Sequence, residues 1–146
     1  MGSLVEVIKV DAKRRQVVDD CVLLIEAEVD SKSGFSGAGI KLGYKTVKGL
    51  KPGFIGMAMN HLLDDFAAKI DPYWLDCQAQ GKDARSFFAG KKVEIANALL
   101  GITDARAQRS SHKVLVGTYQ KLRPMAIDHV GVAMPRLADL ITKHAS

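Results

Sequence analysis

A histidine and an aspartate one helical turn apart are the residues of this 146-residue chain best suited to chemistry. His61 and Asp65 lie in the segment NHLLDDF, and side chains four residues apart on a helix share a face. Such a pair could bind a metal ion, or the carboxylate could orient the imidazole as a general base. No H-E-x-x-H or E-x-x-H motif accompanies it, so the pattern is more typical of a solvated pair than of a catalytic site.

Two aromatic residues, Tyr73 and Trp74, follow in the chain and could line a ligand pocket, although aromatic residues on a short helix more often anchor a core. His61, Asp65 and Trp74 therefore define an alternative site, for a small ligand or a metal. No serine lies in a nucleophile-elbow pattern, and neither cysteine has a motif histidine nearby. The sequence thus assigns no catalytic residue, no metal site and no cofactor, and it favours a protein that is not an enzyme.

Lysines and glycines dominate residues 31–56, where seven glycines and five lysines occur with no acidic residue. On a helix that advances about 100° per residue, Lys45 and Lys48 lie within about 40° of Lys41, whereas Ile40 and Tyr44 lie on the other side. The pattern predicts an amphipathic helix with a solvated lysine stripe. Such a stripe could bind an anionic protein, nucleic acid or lipid surface. The predicted binding residues are Lys41, Lys45, Lys48, Lys51, Arg106, Arg109 and Lys113.

The glycines of this segment do not form a phosphate-binding loop. GFSGAG matches neither G-x-x-x-x-G-K-[ST] nor G-x-G-x-x-G, and no strand precedes it. Gly39 and Gly43 are four residues apart on the side away from the lysines, where they would let another helix approach closely. That helix could belong to the same chain or to a second copy, so the pattern also allows a homodimer.

Basic residues are segregated along the chain. Residues 31–63 and 105–127 together carry ten lysines and arginines and no acid, which leaves 11 basic against 16 acidic residues elsewhere. The two tracts could face an anionic partner, or they could fold against the acidic helices. The sequence does not choose between these alternatives.

The remaining features predict one all-α domain over residues 1–146, an irregular or orthogonal bundle of six to eight helices. Apolar residues recur at helical spacing throughout, and no run alternates as a strand would. Ser3 and Asp83 are predicted helix caps, and Ser111 is predicted to cap a helix from 112 to 122. Asp71 is predicted to cap a new helix at Pro72, and Pro124 and Pro135 to delimit the last two. The only cysteines are too few for a disulfide framework, and no segment reads as a membrane span or signal peptide, so we predict a cytoplasmic protein.

Four segments, KSGFSGAGIKLGYKTVKGLKPGFI, DDFAAKIDPYW, EIANALLGITDARA and YQKLRP, occur in an order that resembles an uncharacterised family of small bacterial helical proteins. The resemblance covers most of the chain. It implies a compact helical domain, and it implies no activity and no catalytic residue. The function predicted from the residues is therefore a non-enzymatic interaction domain with a basic surface for an anionic partner.

Overall fold

The computed structural model describes residues 3–145, and every regular element in this range is an α-helix. This confirms the predicted all-α class, and the eight helices found between residues 3 and 145 agree with the predicted number. The helices are α1 (Leu4–Val7), α2 (Asp11–Ser31), α3 (Gly34–Lys48), α4 (Phe54–Ala79), α5 (Ala84–Gly90), α6 (Lys92–Arg109), α7 (Lys113–Val132) and α8 (Met134–Ala145).

Side-chain caps begin two helices as predicted. The Ser3 hydroxyl accepts a hydrogen bond from the backbone N–H of Glu6 at 3.2 Å, and the Asp83 carboxylate accepts one from that of Ser86 at 3.0 Å. Both bonds satisfy amide groups that have no partner within their helix. The predicted cap of α7, Ser111, is wrong by one residue. The N-cap is His112, whose Nδ1 accepts a hydrogen bond from the backbone N–H of Leu115.

The predicted helix breaks at Pro72 and Pro124 are wrong, because both prolines lie inside continuous helices. α4 is 26 residues long and includes Pro72, and α7 is 20 residues long and includes Pro124. Proline has a helical φ, so its cost inside a helix is one lost hydrogen bond and some crowding. Both rings are exposed, and around Pro72 the buried side chains of Ile70 and Trp74 keep one face of α4 on the core.

Asp71 caps a different helix from the one predicted. Its buried carboxylate accepts hydrogen bonds from the backbone N–H groups of Leu4 and Val5, at 2.5 and 3.2 Å. The side chain therefore caps α1 from within α4 and joins two segments that are distant in sequence. Because α4 continues through residues 71 and 72, no new helix begins at Pro72 and no cap is needed there.

The best-buried part of the core lies between α4, α5, α6 and α8. Phe88 of α5, Ile95 of α6 and Met134 of α8 are almost completely buried. α8 is strongly amphipathic, with Met134, Ala138 and Ile141 buried at spacings of four and three. α2 and α8 run antiparallel, since residues 20 and 28 of α2 contact residues 144 and 136 of α8.

α3 packs antiparallel on α7 through the glycine positions that the sequence singled out. A Cβ at Gly43 would lie 2.6 Å from Cδ1 of Leu122, and one at Gly39 would lie 3.9 Å from Cε of Met125. Close approach at Gly43 is therefore real, and the helix that approaches belongs to the same chain. A homodimer remains a prediction.

Candidate interface for an anionic partner

Lys41 and Lys45 form the free part of the predicted lysine stripe. Both side chains are exposed on α3, a helix without any acidic residue, and neither forms an ion pair with another residue of the described range 3–145. Their charge is therefore available to a partner in solution.

Lys48 differs from the other stripe lysines because α2 supplies it with a counterion. Its Nζ lies 2.9 Å from Oε2 of Glu26 and 5.7 Å from the centre of the Tyr44 ring. The hydrogen bond to Glu26 raises the pKa of Lys48, and the same bond lowers the pKa of Glu26. Lys48 remains charged, but its field is partly neutralised.

The antiparallel contact of α3 with α7 brings further basic residues to one end of the bundle. The C-terminal end of α3, followed by the exposed Lys51, lies toward the N-terminal end of α7, where Lys113 is exposed. The exposed Arg109 is the last residue of α6, just before α7 in the chain. Arg106 is less free, because its guanidinium donates to the carbonyl of His61 at 3.2 Å and lies 3.7 Å from Asp65.

The two basic tracts combine both alternatives that the sequence left open. Several of their residues remain exposed without an ion pair inside the described range, as binding to an anionic partner requires. Others pair with acidic residues of the same chain, as folding against the acidic helices requires. The paired ones are Lys32 with Glu28 (3.1 Å), Lys48 with Glu26 (2.9 Å), Arg106 with Asp65 (3.7 Å) and Arg123 with Asp104 (2.9 Å).

Two apolar residues on α3, Phe35 and Leu42, are exposed beside the lysines, and the sequence analysis did not identify them. Phe35 is fully exposed, and Leu42 is 68% exposed. They are seven residues apart and so lie on one side of the helix, with Lys45 about 60° from Leu42 around the axis. The helical wheel that located the lysines also contained this signal. α3 thus presents an apolar strip, Phe35 and Leu42, flanked by the stripe lysines.

The structure does not bring His61, Asp65 and Trp74 together. His61 and Asp65 are exposed on α4, whereas Trp74 is buried in the core at 4% exposure. Trp74 follows Asp65 by nine residues, which places the two side chains about 180° apart around the helix axis. Between residues 3 and 145, no group of three or more His, Cys, Asp or Glu side chains could hold a metal ion. A ligand site near these three residues remains a prediction, to be tested by metal analysis of the purified protein.

A cavity of about 430 Å³ lies between the helices, and it is lined by none of the seven predicted anion-binding residues and by none of the three residues of the alternative site. Its walls are almost entirely apolar. Side chains of α2, α4, α6, α7 and α8 line it, among them Ile25, Phe66, Leu99, Leu122 and Leu137. The sequence analysis gave no indication of a cavity, because periodicity shows that a helix face is buried and not how well the buried faces fill the space between them.

This cavity is partly open to solvent and presents almost only apolar surface. Water gains little in a space with so few polar partners. An apolar molecule that fills the space would remove this apolar surface from water.

Comparisons with known proteins place the chain in a family without assigning it an activity. Neither the curated proteins nor the solved structures include a match. None of the helices in the described part of the chain is long and apolar enough to cross a membrane. Residues 4–145 match the model of a family of unknown function, DUF6918. Because this match covers nearly the whole chain and the helical fold agrees with the resemblance seen in the sequence, the protein belongs to family DUF6918.

Proposed function

We propose that this protein is a non-enzymatic interaction domain whose α3 helix binds the surface of an anionic lipid bilayer. The observation that carries the proposal is the combination on one exposed helix of Phe35 and Leu42 with Lys41 and Lys45. A helix with this arrangement lies in the plane of a bilayer surface, with its apolar side chains among the lipids and its lysines at the head groups.

Both kinds of side chain contribute enough energy to matter. A lysine near an anionic leaflet contributes about 1 kcal/mol, and full burial of a Phe or Leu side chain contributes about 1.5–3 kcal/mol. The exposed basic residues Lys51, after α3, and Arg109 and Lys113, at the junction of α6 and α7, add to the same field if that end of the bundle faces the membrane.

The apolar strip favours a bilayer over a nucleic acid. Lysines would serve a phosphate backbone equally well, and an exposed Phe35 could stack on a single-stranded base. Leu42 has neither role, whereas in a bilayer it is buried together with Phe35. Lipid binding is therefore the function that uses both the exposed lysines and the exposed apolar residues of α3.

Sedimentation with vesicles tests this function. We expect the protein to sediment with vesicles of phosphatidylcholine and phosphatidylserine, to bind vesicles of phosphatidylcholine alone weakly, and to be released as salt is raised. Lys41→Glu with Lys45→Glu should abolish most of the binding. Phe35→Ser with Leu42→Ser should weaken binding to the mixed vesicles and leave any retention on single-stranded DNA unchanged.

Matched double variants control for charge and hydrophobicity. Lys13→Glu with Lys69→Glu makes the same charge change at exposed positions of α2 and α4, and Leu23→Ser with Val132→Ser removes two exposed apolar side chains of α2 and α7. Both should bind like the parent protein. The bilayer proposal is wrong if the parent binds DNA but no vesicle, or if the controls lose as much binding as the α3 variants.

A further inference from the structure

The central cavity has one buried polar atom without a partner, and that atom identifies a ligand. His144 of α8 lines the cavity, and its side chain is only 4% exposed. Its Nε2 lies 2.6 Å from Oδ2 of Asp20, an oxygen that also accepts from Lys143 at 2.9 Å. Its Nδ1 is buried and has no hydrogen-bond partner among the residues described.

The geometry of the ring places this nitrogen on the side away from Asp20. The two nitrogens of an imidazole point to roughly opposite sides, and Nε2 is held by Asp20, which does not line the cavity. Hydrogen bonds from Lys143 and His144 lower the pKa of Asp20, so this carboxyl group is ionised at neutral pH and accepts a hydrogen bond from Nε2. Nδ1 is then the ring nitrogen left to meet a ligand, and a hydroxyl group can pair with it as donor or as acceptor.

The other polar groups of the cavity do not favour an anionic ligand. Lys32 is the cationic residue in the wall, and its Nζ is already bound to Glu28 at 3.1 Å and to the carbonyl of His129 at 3.4 Å. Glu28 in turn pairs with Arg136. A carboxylate in this apolar space would lack a free counterion, whereas a hydroxyl group carries no charge to neutralise.

We propose that the cavity binds a single-chain lipid alcohol, with the alkyl chain along the apolar walls and the hydroxyl group hydrogen-bonded to Nδ1 of His144. A cavity of roughly 150 Å³ holds benzene, so 430 Å³ corresponds to roughly 17 non-hydrogen atoms, the size of a long alkyl chain with its head group. This site is separate from the exposed face of α3, and either one can be correct without the other.

The test compares 1-dodecanol with dodecane on the full-length protein, by native mass spectrometry and by the shift in melting temperature. We expect each to bind in a 1:1 complex. His144→Leu should weaken the binding of dodecanol about tenfold and leave that of dodecane unchanged, since only the alcohol loses a hydrogen bond. In the parent protein, dodecanol and not dodecane should move the ¹⁵N chemical shift of Nδ1 of His144, a readout that does not depend on the variant folding.

Two adjacent alanines of α4 supply the matched control for the cavity. Ala67 is buried and lines the cavity, whereas Ala68 is exposed. Ala67→Leu should weaken the binding of both compounds, and Ala68→Leu should weaken neither. Ala126→Leu, also in the cavity wall, replaces Ala67→Leu if that variant does not fold.

The outcomes separate the parts of the proposal. The absence of binding of either compound to the parent would overturn the cavity site. Equal binding of both compounds to His144→Leu and the parent, with an unchanged ¹⁵N shift, would overturn the hydroxyl assignment. Tighter binding of dodecanoate than of dodecanol would show that the cavity takes a fatty acid, and would also overturn the proposal of an alcohol.

Discussion

Asp71 shows how a single side chain can join distant parts of this chain. It is buried on α4, and its two oxygens accept the backbone N–H groups of Leu4 and Val5 at the start of α1. These amides have no acceptor within α1, and a carboxylate near a helix N-terminus is also favoured by the helix dipole. The position of the N-terminal segment therefore depends on a residue far along the sequence.

We predict that Asp71→Ala lowers the free energy of unfolding by about 1–3 kcal/mol, because it leaves two amide groups near the core without an acceptor. Asp71→Asn keeps one acceptor oxygen and should recover part of the loss. Urea unfolding followed by circular dichroism measures both. The exposed Asp128 is the control, and Asp128→Ala should cost less than about 0.5 kcal/mol. Equal stability of Asp71→Ala and Asp128→Ala would contradict the capping role.

For α3, one contact with α7 uses the absence of a side chain at Gly43, because the end of the Leu122 side chain occupies the space that a Cβ would need. A Cβ there would lie 2.6 Å from Leu122, whereas Gly101 on the exposed face of α6 has no atom within 4 Å of the same position. Alanine favours a helix over glycine by about 1 kcal/mol at either site. The two glycines therefore differ only in what surrounds them.

We predict that Gly43→Ala destabilises the protein by about 1 kcal/mol, because overpacking of about 1–3 kcal/mol exceeds the gain in helix propensity. Gly101→Ala should stabilise it by about 0.5–1 kcal/mol. Thermal and urea unfolding measure both, and Leu122→Ala added to Gly43→Ala should cost less than the sum of the single changes. If Gly43→Ala were as stabilising as Gly101→Ala, α3 would not lie as close to α7 as the structure places it.

At the scale of the whole molecule, contacts between distant helices connect most of the chain. Asp71 joins α1 to α4, the glycine face joins α3 to α7, and Arg136 and His144 join α8 to α2. Helices linked in this way are expected to unfold together, as a domain of this size usually does. This bears directly on the prediction that residues 1–146 form one domain.

Trp74 allows that prediction to be tested, since it is the only tryptophan and is buried in the core. We predict that its fluorescence and the helical circular dichroism signal give the same urea midpoint and the same slope. Addition of 1-dodecanol should move both midpoints together if the cavity binds it. A helical signal that falls in two steps, with only one step seen by Trp74, would show that part of the bundle folds independently.

Features that depend on neighbours along the chain were predictable from the residues alone. Helical periodicity and the caps at Ser3 and Asp83 predicted the all-α class and most helix positions, because these signals act within one or two turns. The exposure of Lys41 and Lys45 followed from the same periodicity. The pattern within one helix separates its exposed face from its buried face, so the exposure of Lys41 and Lys45 agrees with the prediction.

Which helix faces meet, and how well they fit, depends on the assembly of all the helices and could not be predicted from local patterns. Pro72 and Pro124 lie inside helices that the sequence analysis expected to end there, and around Pro72 the buried Ile70 and Trp74 hold α4 on the core. The buried Glu28 pairs with Lys32 and with Arg136 of α8, and the buried Asp71 has its partners at the start of α1. The cavity is a property of the space between helices, and no single helix contains a signal for it. For this reason, the binding site proposed at His144 could not be predicted before the helices were assembled.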